Sequence, residues 1–193
     1  MSVKHAVLAL LEQEPMYGYQ LRTEFEQRTG TTWPLNVGQV YTTLTRLERD
    51  GLVAGAGADP EGHVIYEITG AGREEVAAWF TTPVARSQPP RDELAIKLAL
   101  AVTVPGVDVG TLIQRQRSAT MTALQDYTRL KRGAVGDDPA DLAWSLVLDS
   151  LVFGAEAEIR WLDHCEARLR RAAGERPARA SAPSTADDEA TRR

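Results

Sequence analysis

Gly38, Thr42, Thr45, Arg46 and Arg49 recur on one side of a short segment, with Gln39 and Tyr41 at its flanks. An arginine fork and a carboxamide can each make paired hydrogen bonds to one planar partner, and threonine adds a hydroxyl and a methyl group. Such groups suit base edges in a DNA major groove, arginine matching guanine and glutamine matching adenine. Catalytic constellations are missing by comparison. Neither Gly-x-Ser-x-Gly nor His-Glu-x-x-His occurs, and Gly55-x-Gly57 meets Pro60 where a dinucleotide fingerprint needs glycine. His164 and Cys165 are adjacent on a helical pattern, so they point about 100° apart, and Cys165 reads as a buried structural thiol. No enzyme activity, cofactor or metal is expected.

The elements that must position the polar face follow from hydrophobic spacing. Val37, Val40, Leu44 and Leu47 form a narrow apolar seam, which predicts a helix from Val37 to Asp50 with Asn36 as its N-cap. Gly38, Thr42, Thr45, Arg46 and Arg49 fall opposite that seam. Upstream, Val3, Ala6, Val7, Leu10 and Leu11 predict a first helix ending before Pro15. Met16 to Tyr19 read as a turn into a second helix that carries Leu21 and Phe25 and stops near Gly30. Beyond Gly51 the period changes to two, giving strands at Leu52–Ala54 and His63–Thr69 around a turn from Gly57 to Gly62. A fourth helix then runs to about Thr81, with Val76, Trp79 and Phe80 packed down.

Three helices, a hairpin and a further helix in this order are those of a winged helix-turn-helix, the third helix being the reading helix. Leu11 with Pro15, Tyr17-Gly18-Tyr19-Gln20-Leu21, Trp33, Gly38-Gln39-Val40-Tyr41, Leu44, Arg46-Leu47-Glu48, Gly51-Leu52-Val53, Tyr66, Ile68-Thr69 and Gly72 resemble the PadR family of bacterial transcriptional regulators. The resemblance covers residues 3 to 80, and Asp92-Glu93-Leu94 with Lys97-Leu98 resembles the start of that family's helical C-terminal domain. It implies a homodimeric repressor on a pseudo-palindromic operator, released by an effector. It also implies DNA contacts from Gln39, Tyr41, Thr42, Thr45 and Arg46, with Tyr17 and Tyr19 on phosphates. In a dimer the two reading helices would stand roughly 34 to 36 Å apart along the duplex.

Blander readings stand beside these. Tyr41 can pack on Tyr66 or Trp33, Tyr17 to Tyr19 can serve only to begin a helix, and Arg46 and Arg49 can be solvated charges paired with Asp50 or a neighbouring Glu. The wing tip, Asp59-Pro60-Glu61-Gly62-His63, carries carboxylates where the family usually bears Lys or Arg, which opposes phosphate contact. Residues 1 to 80 hold six Lys or Arg against eleven Asp or Glu, and the chain's net charge is −5. DNA binding must therefore rest on a local face. A winged-helix protein-interaction module is the alternative.

The expected fold class is mainly α with a small β-hairpin wing: a winged helix-turn-helix domain over 1–84, a linker over 85–91, a helical dimerisation and effector domain over 92–173 and a disordered tail over 174–193. The helical half should hold a short, nearly all-apolar helix around Leu94 to Ala101 that is buried on most sides. Two long helices should follow, Val109 to Lys131 and Asp141 to Ala172, the last exceeding what one protomer can cover and mediating dimerisation through Trp161 and Leu162. Trp144 and Trp161 are candidate walls for a small planar or apolar effector, with core packing the commoner fate of such aromatics. The chain's 193 residues, 43% hydrophobic and 25% charged, suit a globular protein, and no stretch approaches a membrane span. With a single cysteine and no cleavage site after the apolar run from Ala6, a cytoplasmic location is expected.

Overall fold

A computed structural model of the chain describes residues 3–85, 91–133, 136 and 138–174. The first apolar stripe folds as α1 (Val3–Leu11), which buries Val7, Leu8, Leu10 and Leu11. β1 (Met16–Tyr17) follows where the sequence reads as a turn; two residues are too few to display a period, and its partner lies far along the chain. α2 (Gly18–Thr29) buries Leu21 and Phe25. α3 (Val37–Arg49) begins at Asn36, whose side-chain oxygen accepts the Gly38 N–H at 2.8 Å, and it buries Val40, Leu44 and Leu47.

β2 (Val53–Ala58) and β3 (Val64–Ile68) form the wing, and with β1 they make an antiparallel sheet in the order β1-β3-β2. β2 runs past the expected strand end because the run of alanine and glycine gives no side-chain alternation to read, and a register shift between Gly55 and Ala58 kinks it. The turn closes through Asp59 N–H donating to the His63 carbonyl at 3.0 Å, with Gly62 at φ +87°.

α4 (Gly70–Thr81) is capped by Thr69, whose hydroxyl accepts the Gly72 N–H and donates to the Gly51 carbonyl. This stitches the end of α3 to the start of α4. A Cβ at Gly72 would stand 2.6 Å from Ile68 Cγ1 and overlap the Leu52 carbonyl. Gly72→Ala is therefore expected to lower stability by about 1–3 kcal/mol or more, read by chemical denaturation, because backbone cannot yield as a side chain can. Of the three α4 residues expected to pack down, Val76 is buried, Trp79 stacks on His5 at 5.3 Å and Phe80 stands 69% exposed. The Phe80 ring leans on that of Trp79 instead, centres 4.8 Å apart.

The helical half consists of α5 (Glu93–Ala101), α6 (Val109–Gly133) and α7 (Pro139–Gly174). Leu98, Ile113 and Leu162 form its core, with Leu94, Leu112, Trp161, Cys165 and Leu169 packed around them. Arg117 of α6 bridges Asp163 and Glu166 of α7 at 2.7 Å each, and Lys131 pairs with Asp149. The Arg117 guanidinium holds the Glu166 carboxyl below the usual carboxylate range, with Arg170 and Gln114 helping.

Three expectations change here. α5 is buried only at Leu98 and Ala101, with Leu94 partly buried, leaving Ile96 47% and Leu100 58% exposed, since Leu98 packs on Ile113 of α6 and Leu162 of α7 on one side only. Leu162 faces its own protomer's core rather than a partner. Cys165 is half-buried at the edge of that core. The expected linker falls mostly on residues 86–90 and the expected tail on 175–193, outside the described residues. Among the described residues no helix is long and apolar enough to cross a membrane.

Candidate nucleic-acid interface

The seam of α3 faces the core, which turns Gln39, Tyr41, Thr42, Thr45, Arg46 and Arg49 outward. Their chemical availability differs. Arg49 is bound to Asp50 at 2.9 Å. Lys4, Arg22, Arg28 and Arg73 are paired with Glu75, Glu26, Glu24 and Glu12 respectively. Arg46 alone among the cations of described residues 3–85 has no carboxylate partner, so its whole fork faces solvent. These pairs engage five of the eleven carboxylates of residues 1–80 and leave the domain's net acidic excess as it was.

The threonines are set by the helix itself. Thr42 donates its hydroxyl to the Gly38 carbonyl at 2.8 Å and Thr45 to the Tyr41 carbonyl at 3.0 Å. With the proton turned inward, each offers oxygen lone pairs and a methyl group outward, which suits a base amino group or a thymine methyl better than a phosphate. A hollow of about 540 Å³ beside α3 is lined by Gln39, Thr42, Thr43, Arg46, Lys4 and Asp50, with Val3 and Leu47. Lys4 and Thr43 escaped the sequence reading. Lys4 is contributed by α1, which no periodicity connects to α3, and the Thr43 hydroxyl bonds the Gln39 carbonyl at 2.7 Å.

The tyrosines take different places. The Tyr41 ring lies on Gly18, where a Cβ would come within 2.7 Å of Cε1 and Cζ, so much of this side chain serves packing. Burial raises the pKa of its neighbour Tyr66, with Glu48 and Tyr41 adding to the effect. Tyr19 is 55% exposed at the start of α2, where Gln20 Oε1 accepts the Tyr17 N–H at 3.0 Å. Tyr17 stacks on His63 of the wing, ring centres 4.8 Å apart and planes 15° from parallel. His63 Nδ1 lies 2.7 Å from Asp59 Oδ2, and the His63 N–H donates to Asp59 Oδ1. These bonds outweigh desolvation and lower the Asp59 pKa. Asp59, Glu61 and His63 also bring ligating atoms within 4.8 Å of one another, a convergence the hydrogen bonding of the turn explains.

The two candidate effector walls do not share a site. They stand seventeen residues apart on α7, about 25 Å at helical rise. Trp144 fills the space a Cβ would take at Gly30, which has φ +55° at the end of α2, so it packs the two halves of the chain together. Trp161 lines an apolar groove of about 410 Å³ with Leu98, Ala99, Val102, Cys165 and Leu169.

A reading helix laid across a three-helix core, with a β2–β3 wing beside it, defines a winged helix-turn-helix protein. Residues 7–78 match the transcriptional regulator PadR-like family, and residues 90–170 match the virulence activator alpha C-terminal family. A probable transcriptional regulator of Mycobacterium tuberculosis is 26% identical over 186 residues, covering 88% of this chain and 98% of its own. PadR of Bacillus subtilis, a negative transcriptional regulator solved in complex with operator DNA, superposes with TM-score 0.69 at 20% identity, over 88% of this chain and 99% of its own. The same protein solved with p-coumaric acid gives TM-score 0.70 at 20% identity, over 87% and 98%. The virulence activator AphA of Vibrio cholerae gives TM-score 0.66 at 24% identity, over 89% and 99%. Residues 7–78 thus form a domain of the PadR-like family of transcriptional regulators. The matching family and the curated relatives are transcriptional regulators, not enzymes.

Proposed function

We propose that the chain is a homodimeric repressor that binds a pseudo-palindromic operator through α3 and releases it when a small effector binds. The observation that carries DNA reading is the unpaired Arg46 on an outward face shared with Gln39, Thr42 and Thr45. Residues 1–84 act as the DNA-binding domain and 92–173 as the dimerisation and effector domain. The polarity of control rests on the likeness to the negative regulator PadR. Dimerisation is supported by Leu142, Leu146 and Phe153, which lie along one side of α7 and are each more than 60% exposed. They replace Trp161 and Leu162 as the expected contact. Effector control draws on the Trp161 groove and on the p-coumaric acid bound by PadR. Trp144 on Gly30 is the packing through which a shift of α7 would reach α2.

The acidic wing tip favours a second reading, a winged-helix module that binds protein instead of DNA. Anisotropy titration of the duplex upstream of its own gene against a scrambled duplex, at two salt concentrations, separates the two. The first reading predicts tighter, competitor-resistant binding to the native duplex that weakens with salt. Equal, weak binding to both duplexes supports the second.

A further inference from the structure

Between α6 and α7 lies a cavity of about 400 Å³, floored by Ala119, Ala123, Gly154 and Ala155 and flanked by Tyr127 and Glu158. That volume is of small-molecule size. Glu158 is half-buried in it. Its Oε1 accepts from Gln116 Nε2 at 2.9 Å and from the buried Thr120 hydroxyl at 2.5 Å, while Oε2 accepts from no donor among the described residues. Other carboxylates along the same helix seam have their cations: Asp149 has Lys131, and Asp163 and Glu166 have Arg117. Glu158 is left without one among the described residues. A half-desolvated carboxylate held at one oxygen and bare at the other is a seat for a positive group. The small side chains beside it leave a shallow floor on which a flat body can lie.

We propose that this cavity binds an organic cation, an amine or amidine carried on a small planar apolar body. Its N–H groups donate to Glu158 Oε2 and its body lies over Ala119, Ala123 and Gly154. The site goes beyond the DNA-reading face and is independent of it. Phe153, in the exposed stripe assigned to the dimer, lies about 140° round α7 from Glu158, so cavity and stripe face different ways.

The test is saturation-transfer NMR titration of the full chain with benzamidine, benzoate and benzyl alcohol, which put a cation, an anion and a neutral group on the same ring. Benzamidine should bind saturably, and Glu158→Gln, which keeps the bonds to Gln116 and Thr120, should weaken it by about tenfold or more. Gly154→Leu, which fills the floor, should abolish binding while circular dichroism shows an unchanged helical content. Equal binding of the three probes, or benzamidine binding unaffected by Glu158→Gln, overturns the proposal. Absence of saturable binding by a protein that is folded and dimeric in solution also overturns it.

Discussion

Replacing Arg46 with Ala is expected to weaken operator binding by about ten- to a hundredfold and to relax preference at one base pair per half-site, as losing a bidentate base contact of about 1–3 kcal/mol requires. The effect should be large because the domain has so little positive charge to spare. Five of its six described cations are engaged by carboxylates, so no neighbour can take over the contact. Arg49→Ala should cost much less, since that guanidinium, 73% exposed, already spends itself on Asp50. Anisotropy titration of both variants against the same duplex gives the comparison. Similar losses for the two would remove the special place given to Arg46.

Leu162→Asp should unfold the helical half, whereas Phe153→Asp should leave it folded and monomeric. Leu162 is fully buried between Leu98 and Ile113, so the change opens a cavity of a kind that costs about 2–5 kcal/mol and adds an unpaired carboxylate. Against a typical total stability of about 5–15 kcal/mol, that loss is decisive. Phe153 is 63% exposed and carries no such burden within the protomer. Light scattering and circular dichroism on the two variants read the difference directly. A Phe153→Asp protein that stays dimeric would show that the Leu142, Leu146 and Phe153 stripe is not the interface.

The reading helix was legible because its seam and its polar face separate cleanly at 3.6 residues per turn, from Val40 to Leu47 on one side and Thr42 to Arg49 on the other. Its cap at Asn36 was legible for a local reason, a short polar side chain reaching a backbone N–H two residues on. Longer-range features were hidden. Nothing about Met16 and Tyr17 announces a strand until β3 arrives beside them, and the alanines and glycines of β2 carry no alternating pattern. The helical half misled in a different way, because periodicity gives an apolar face without saying which neighbour covers it. Leu162 meets its own α5 and α6, while Leu146 and Phe153 stay more than 60% exposed in the protomer. The free state of Arg46 is a matter of ion pairing, which a sequence does not display: Arg46 and Arg49 look alike until Asp50 is seen to hold one of them.

The most direct measurement is methylation interference at guanine N7 across the operator, run with the unmodified protein and with Arg46→Ala. An arginine fork on guanine O6 and N7 cannot form once N7 carries a methyl group. One guanine per half-site should therefore block binding of the unmodified protein, at positions about one helical turn apart, and the same methylations should leave the weaker Arg46→Ala complex unaffected. Identical interference patterns for the two proteins would contradict the assignment of base reading to Arg46.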